Sequence, residues 1–143
     1  GIKAFRVEIE VDIQFGLMNF IIVGLPDTAV KESSFRISSA LKNSGFQLPQ
    51  KRIVVNLAPA DLKKVGTLFD LPIAIGILTA NKQFTSDTCF LQDTLWLGEL
   101  ALDGAIRPIK GALAIAFDAK KLGIKRIILP LANAAEASLI KDI

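Results

Sequence analysis

The chain has 143 residues, 51% of them hydrophobic, with a formal net charge of +3, one cysteine and no histidine. That length is one ordinary domain, long enough for a sizeable core. Without histidine, Ser-His-Asp and Cys-His catalysis and the common zinc sites are excluded, and the lone Cys89 excludes an internal disulfide and fits a reducing cytoplasm.

Residues 4–13 alternate strictly, Phe5, Val7, Ile9, Val11 and Ile13 against Arg6, Glu8, Glu10 and Asp12. This predicts a strand with one wet face, its acids solubilising and edge-protecting rather than metal-binding. A turn at Phe15-Gly16-Leu17 and a second strand over 19–23 predict an antiparallel hairpin. Gly24-Leu25-Pro26-Asp27 stops that strand, and Asp27 or Thr28 is expected to cap a helix to about Asn43. Its core face reads Val30, Ser34, Ile37 and Leu41, and Gly45 follows where a left-handed residue belongs. Residues 51–57 read as a third strand, with the run Ile53-Val54-Val55 pointing to burial on both faces.

A loop over 58–69 leads to Asp70, read as the cap of a helix with Pro72 in its first turn. The uncharged run Leu71 to Ala80 is apolar nearly all round, which predicts a central buried helix. It is about half of the ~18–20 residues a membrane span needs, and no secretory leader opens the chain, so no membrane partner is expected. Residues 94–102 read as a fourth strand, Asp103-Gly104 as a tight turn and 105–108 as its return. A helix over 109–122 is expected to turn Ile109, Leu113, Ala116 and Phe117 inward, with Gly123 ending it. A strand over 124–129 and a last helix from Asn133, with Glu136 in a capping-box position, complete the chain. No cap follows at Ile143, which reads as a chain cut within or just after an element.

No P-loop pattern and no dinucleotide fingerprint occurs, so no nucleotide site is expected in these residues. The candidate nucleic-acid contacts are Lys51, Arg52, Lys63 and Lys64, a basic set suited to phosphate backbone, with a sequence pI of about 9.1. No exposed aromatic is expected beside them for base stacking. Lys120, Lys121, Lys125 and Arg126 are explained by a helix C-terminus, where cations favour the macrodipole. No metal ligands are assigned.

Three stretches, 23–46 (VGLPDTAVKESSFRISSALKNSGF), 51–78 (KRIVVNLAPADLKKVGTLFDLPIAIGIL) and 97–116 (LGELALDGAIRPIKGALAIA), together resemble the N-terminal, magnesium-chelatase-like domain of the ComM/YifB family of bacterial AAA+ proteins. The positions carrying the family pattern are Gly24, Pro26, Asp27, Asn56, Pro59, Asp61, Asp70, Pro72, Gly98, Glu99 and Gly104. The resemblance implies an α/β, two-layer, ribosomal protein S5 domain 2-like fold, a mixed sheet with helices mainly on one face and an unusual left-handed crossover. It implies one domain over 1–143, preceding an ATPase module that would hold ATP and Mg²⁺, with no cofactor in these residues.

The same fold carries the Lon peptidase, whose serine would fall in Thr67-Leu68-Phe69-Asp70-Leu71, where there is none. The lysine's place holds Leu113, with Lys110 about one turn earlier, so a Ser-Lys dyad is not expected. The implied function is a non-catalytic accessory domain of a cytoplasmic ATPase that processes DNA, as in branch migration during natural transformation. Its partners would be its own ATPase module, neighbouring subunits of a homo-oligomeric ring, and DNA. A pure protein-interaction module, a chelatase-related subunit and a Lon-like peptidase are the alternatives.

Overall fold

The computed structural model describes residues 1–59 and 67–143. Alternation in the first segment gives β2 (Val7–Gln14), with Val7 and Ile9 buried and Glu8, Glu10, Asp12 and Gln14 exposed. The expected single strand is broken at Phe5-Arg6, because Arg6 takes φ 57° and turns the chain back on itself. The piece before the turn, β1 (Ile2–Ala4), pairs antiparallel with β2.

The expected hairpin between β2 and β3 (Asn19–Val23) does not form. Instead β4 (Arg52–Ala58) inserts between them, antiparallel to β2 and parallel to β3. With β5 (Thr94–Trp96) and β8 (Arg126–Ile128), the six-stranded mixed sheet runs β3-β4-β2-β1-β5-β8. Strand β2 is therefore central, so its acids cover an open sheet face rather than protect an edge. The same open face explains β4, where Ile53, Val55 and Leu57 are buried while Val54 and Asn56 are only half-buried.

Helix α1 (Asp27–Asn43) joins β3 to β4, and α2 (Asp70–Ala80) lies on the Ile2–Val11 side of the sheet. The cap position of α1 is Pro26, and no side chain caps it; Asp27 lies in the first turn, where it complements the macrodipole. The buried stripe of α1 is Ser33, Ile37, Ala40 and Leu41, which keeps the expected Ile37 and Leu41 while Val30 and Ser34 are only half-buried. Helix α2 is buried nearly all round, as its composition requires. Its short successor α3 (Thr88–Gln92), capped by Asp87 accepting from Phe90 N at 2.6 Å, carries the exposed Cys89.

The long fourth strand also divides. After β5 the chain leaves the sheet at Leu97-Gly98 and forms a separate two-stranded ribbon, β6 (Glu99–Leu100) with β7 (Ile106–Arg107). Its turn at Asp103-Gly104 is the expected one, with Asp103 Oδ1 accepting from Ala105 N at 2.9 Å. The ribbon rests on the end of α1, where Asn43 Nδ2 donates to the Leu102 carbonyl at 2.7 Å. Gly104 has φ 93°, and a Cβ there would run into Ser44 Oγ and lie 3.4 Å from the Ala40 carbonyl oxygen. Gly104→Ala is expected to cost about 1–3 kcal/mol, read as a lower urea midpoint at unchanged m-value.

Helix α4 (Ala112–Lys121) starts later than expected, after Gly111 at φ 77°. It buries Ala112, Ile115, Ala116 and Ala119, leaving Leu113 and Phe117 exposed. The expected long final helix is a 3-10 turn (Leu131–Asn133) and a four-residue α5 (Ala134–Ala137). Its capping-box residues serve other backbones. Asn133 Oδ1 accepts from Ile109 N and its Nδ2 donates to the Ile109 carbonyl, both at 2.9 Å, while Glu136 Oε1 accepts from Leu113 N at 3.0 Å. Among the described residues no helix is long and apolar enough to cross a membrane.

Candidate nucleic-acid interface

Because β4 separates β2 from β3, the connection Phe15–Met18 must step over the start of β4. It crosses two strand spacings, about 10 Å. The register places Gln14 and Asn19 on either side of Arg52. Lys51 and Arg52 thus form the foot of a projecting tip. Lys51 Nζ sits 4.9 Å from the Phe15 ring centroid, a cation–π contact. Phe15 is 90% and Leu17 92% exposed, and Met18 is exposed as well.

This corrects the expectation that no exposed aromatic accompanies the basic set. The pairing of distant strands brings Phe15 to Lys51, which a reading confined to neighbours along the chain does not see. Of the four candidate contacts, Lys51 and Arg52 are exposed, Lys51 against Phe15 and Arg52 paired with Gln14 at the tip end of the open sheet face. Lys63 and Lys64 lie outside the described residues, as does Asp61. On the open sheet face below the tip, Asp12 accepts from Gln14 Nε2 at 2.9 Å and Glu10 from Asn56 Nδ2 at 3.2 Å.

A second constellation gathers several family-pattern positions around Asp70, whose side chain does not cap its own helix. Asp70 is 1% exposed. Its Oδ1 accepts from Ser33 Oγ at 2.8 Å and from Arg36 Nη2 at 3.2 Å. Its Oδ2 accepts from Arg36 Nε at 2.6 Å and from Leu100 N at 3.2 Å. The carboxylate therefore ties α1, α2 and the β6–β7 ribbon together. The hydrogen bond to Asp70 is the main cause holding the Arg36 guanidinium above its usual pKa; burial opposes it, and the charges of Asp70, Glu99 and Glu32 add to it. Glu99 in turn accepts from Thr67 Oγ1 at 2.8 Å. Gly98 donates to the Leu68 carbonyl and accepts from Leu71 N, both at 3.0 Å. A Cβ on it would come 2.5 Å from Ile106 Cγ2, so glycine permits the close approach.

Every Asp70 oxygen is occupied, which makes the cluster an internal tie, not an open site. Ser33 and Arg36 were not singled out from sequence. Their signal is a polar pair on the helical stripe that also carries Ile37 and Ala40. The other pattern positions are dispersed: Gly24, Pro26 and Asp27 at the start of α1, Asn56 on β4, Pro59 just after it, and Pro72 buried in α2. Lys110, near the place of the Lon lysine, is exposed.

An open groove of about 530 Å³ lies between β2 and the end of α4, lined by Lys3, Glu8, Leu95 and Leu122 among others. Arg6 spans it, donating to Asp118 Oδ2 from Nε at 3.0 Å and from Nη2 at 2.5 Å.

Residues 9–133 match the model of a family described as subunit ChlI of Mg-chelatase. The chain belongs to this family. It is 46% identical over 140 residues to the uncharacterized protein YifB of Salmonella typhimurium, covering 98% of this chain and 27% of that protein. It is 46% identical over 142 residues to the competence protein ComM of Haemophilus influenzae, covering 99% of this chain and 27% of ComM. The DNA repair protein RadA of Escherichia coli is more distant, 25% identical over 136 residues, which cover 93% of this chain and 28% of RadA. The resemblance to ComM and YifB expected from sequence is borne out, and this ChlI-family domain spans about a quarter of those relatives' length.

Proposed function

We propose that this chain is the non-catalytic N-terminal domain of a ComM-like ATPase that processes DNA, as in branch migration during natural transformation. The observation that carries this is the 46% identity to a competence protein along nearly the whole chain. Support comes from the more distant likeness to a DNA repair protein and from the exposed cations at the β2–β3 tip. In this reading the domain contributes contacts between subunits of a ring and contacts to DNA, while ATP and Mg²⁺ belong to the ATPase module.

The test uses the full-length parent and a form lacking residues 1–143. Removing the domain is expected to slow migration of a labelled four-way junction more than tenfold while ATP hydrolysis persists. Equal migration rates in the two forms would overturn the proposed role.

A further inference from the structure

The β2–β3 tip departs from ordinary surface in two ways at once. It holds two large apolar side chains almost wholly in water, Phe15 at 90% and Leu17 at 92% exposure, with Met18 beside them. Each forgoes about 1.5–3 kcal/mol of burial, an arrangement that suits a surface covered by a partner. At its foot stand Lys51 and Arg52, and the four-residue connection Phe15–Met18 carries no acid. An apolar ring face with a cation against it and a second at its foot is complementary to a polymer of flat bases on an anionic backbone.

Position on the sheet narrows the choice further. Asp12 lies three residues along β2 from Phe15, about 10 Å away and at the limit of screening in ~0.1 M salt. Glu8, Glu10 and Asp12 make the open sheet face unfavourable to phosphate, and Arg52, paired with Gln14, stands at the tip end of that face, so a backbone would be held at the tip and chiefly by Lys51. A single ring on a projecting tip offers no hydrogen-bond pattern and reaches only a base that is already unstacked.

From this we infer that the β2–β3 tip is a binding site for single-stranded nucleic acid, in which Phe15 stacks on a base while Lys51 and Arg52 hold the flanking phosphates. The inference rests on the DNA-processing reading above for its choice of nucleic acid over protein. Leu17 and Met18 flank the stacked base, and no sequence preference follows, since every base presents a face to the ring.

The test is fluorescence anisotropy with a labelled oligo(dT) strand and a duplex of equal length, at about 50 mM and 200 mM salt. The chain should prefer the single strand. Phe15→Ala should weaken that binding about tenfold, the size of one stacking contact, and Phe15→Trp should restore it. Lys51→Ala with Arg52→Ala should weaken it too and flatten the log–log salt slope by about 1.4. Melting curves should stay unchanged, because all three side chains are exposed.

If the cation variant weakens binding but Phe15→Ala does not, the stacking site is refuted while the DNA reading stands. No single-strand binding by the unaltered chain refutes the site, and no binding of either the strand or the duplex refutes direct DNA contact by this domain as well. Self-association that Phe15→Ala abolishes, without DNA binding, makes the tip a protein contact and overturns the inference. Full-length protein that migrates junctions equally well without the domain sinks only the wider reading.

Discussion

Asp70→Ala is expected to cost about 3–5 kcal/mol of folding stability, the loss typical of breaking a buried ion pair from one side. The carboxylate is 1% exposed and takes four hydrogen bonds from three residues on two other elements, Ser33 and Arg36 of α1 and Leu100 of β6. Removing it strands the Leu100 N–H and the Ser33 hydroxyl in the core and leaves the Arg36 guanidinium without its counter-charge. Nearby Glu99 and Glu32 soften the last effect, since both act on the arginine. Asp70→Asn keeps the shape and an acceptor but not the charge, and should lose less, about 1–3 kcal/mol. Replacing the pair together, Asp70→Leu with Arg36→Met, should recover much of the loss, because desolvation offsets most of a buried pair's attraction. Urea denaturation of Asp70→Leu alone, Arg36→Met alone and the double variant yields the coupling. Additive losses would mean that the pair does not act as one unit. The raised pKa of Arg36 means its contribution is complete below the ordinary guanidinium range and fades only above it, so the Asp70→Ala loss should not shrink between neutral and mildly alkaline pH.

That network shows where a reading of sequence stops. Asp70 two residues before Pro72 has the local features of a helix cap, and nothing nearby reveals that its partners lie at Ser33, Arg36 and Leu100. Local patterns did set out β2, β3, α1, α2 and the β6–β7 turn, because alternation, apolar periodicity and turn residues act over a few positions. The insertion of β4 between β2 and β3 was not legible, since sequence neighbours usually pair and the competing strand arrives only after a whole helix. The same insertion hid the candidate site: Lys51 and Arg52 were identifiable as basic, but their aromatic neighbour is Phe15, placed there by strand order.

Helix α4 provides the sharpest contrast between pattern and packing. Ile77→Ala in α2 should cost about 2–5 kcal/mol, whereas Phe117→Ala in α4 should change stability by only about 0.5 kcal/mol. Ile77 is fully buried in the helix that packs on β1, β2 and α1, so its removal leaves a cavity that three neighbours cannot all close. Phe117 is the larger side chain and would dominate on size alone, but it is 51% exposed, with Lys121 Nζ lying 4.4 Å from its ring centroid. The apolar repeat Leu113, Phe117 is real, yet α4 turns the adjacent stripe of Ala112, Ile115, Ala116 and Ala119 to the interior. Small residues let a helix approach its support closely, and the gain from that approach at the three alanines, together with burial of Ile115, competes with burying two large side chains. Equal losses for Ile77→Ala and Phe117→Ala in urea denaturation would mean that α4 is rotated by about 100°, one residue around the helix, with its large side chains in the core.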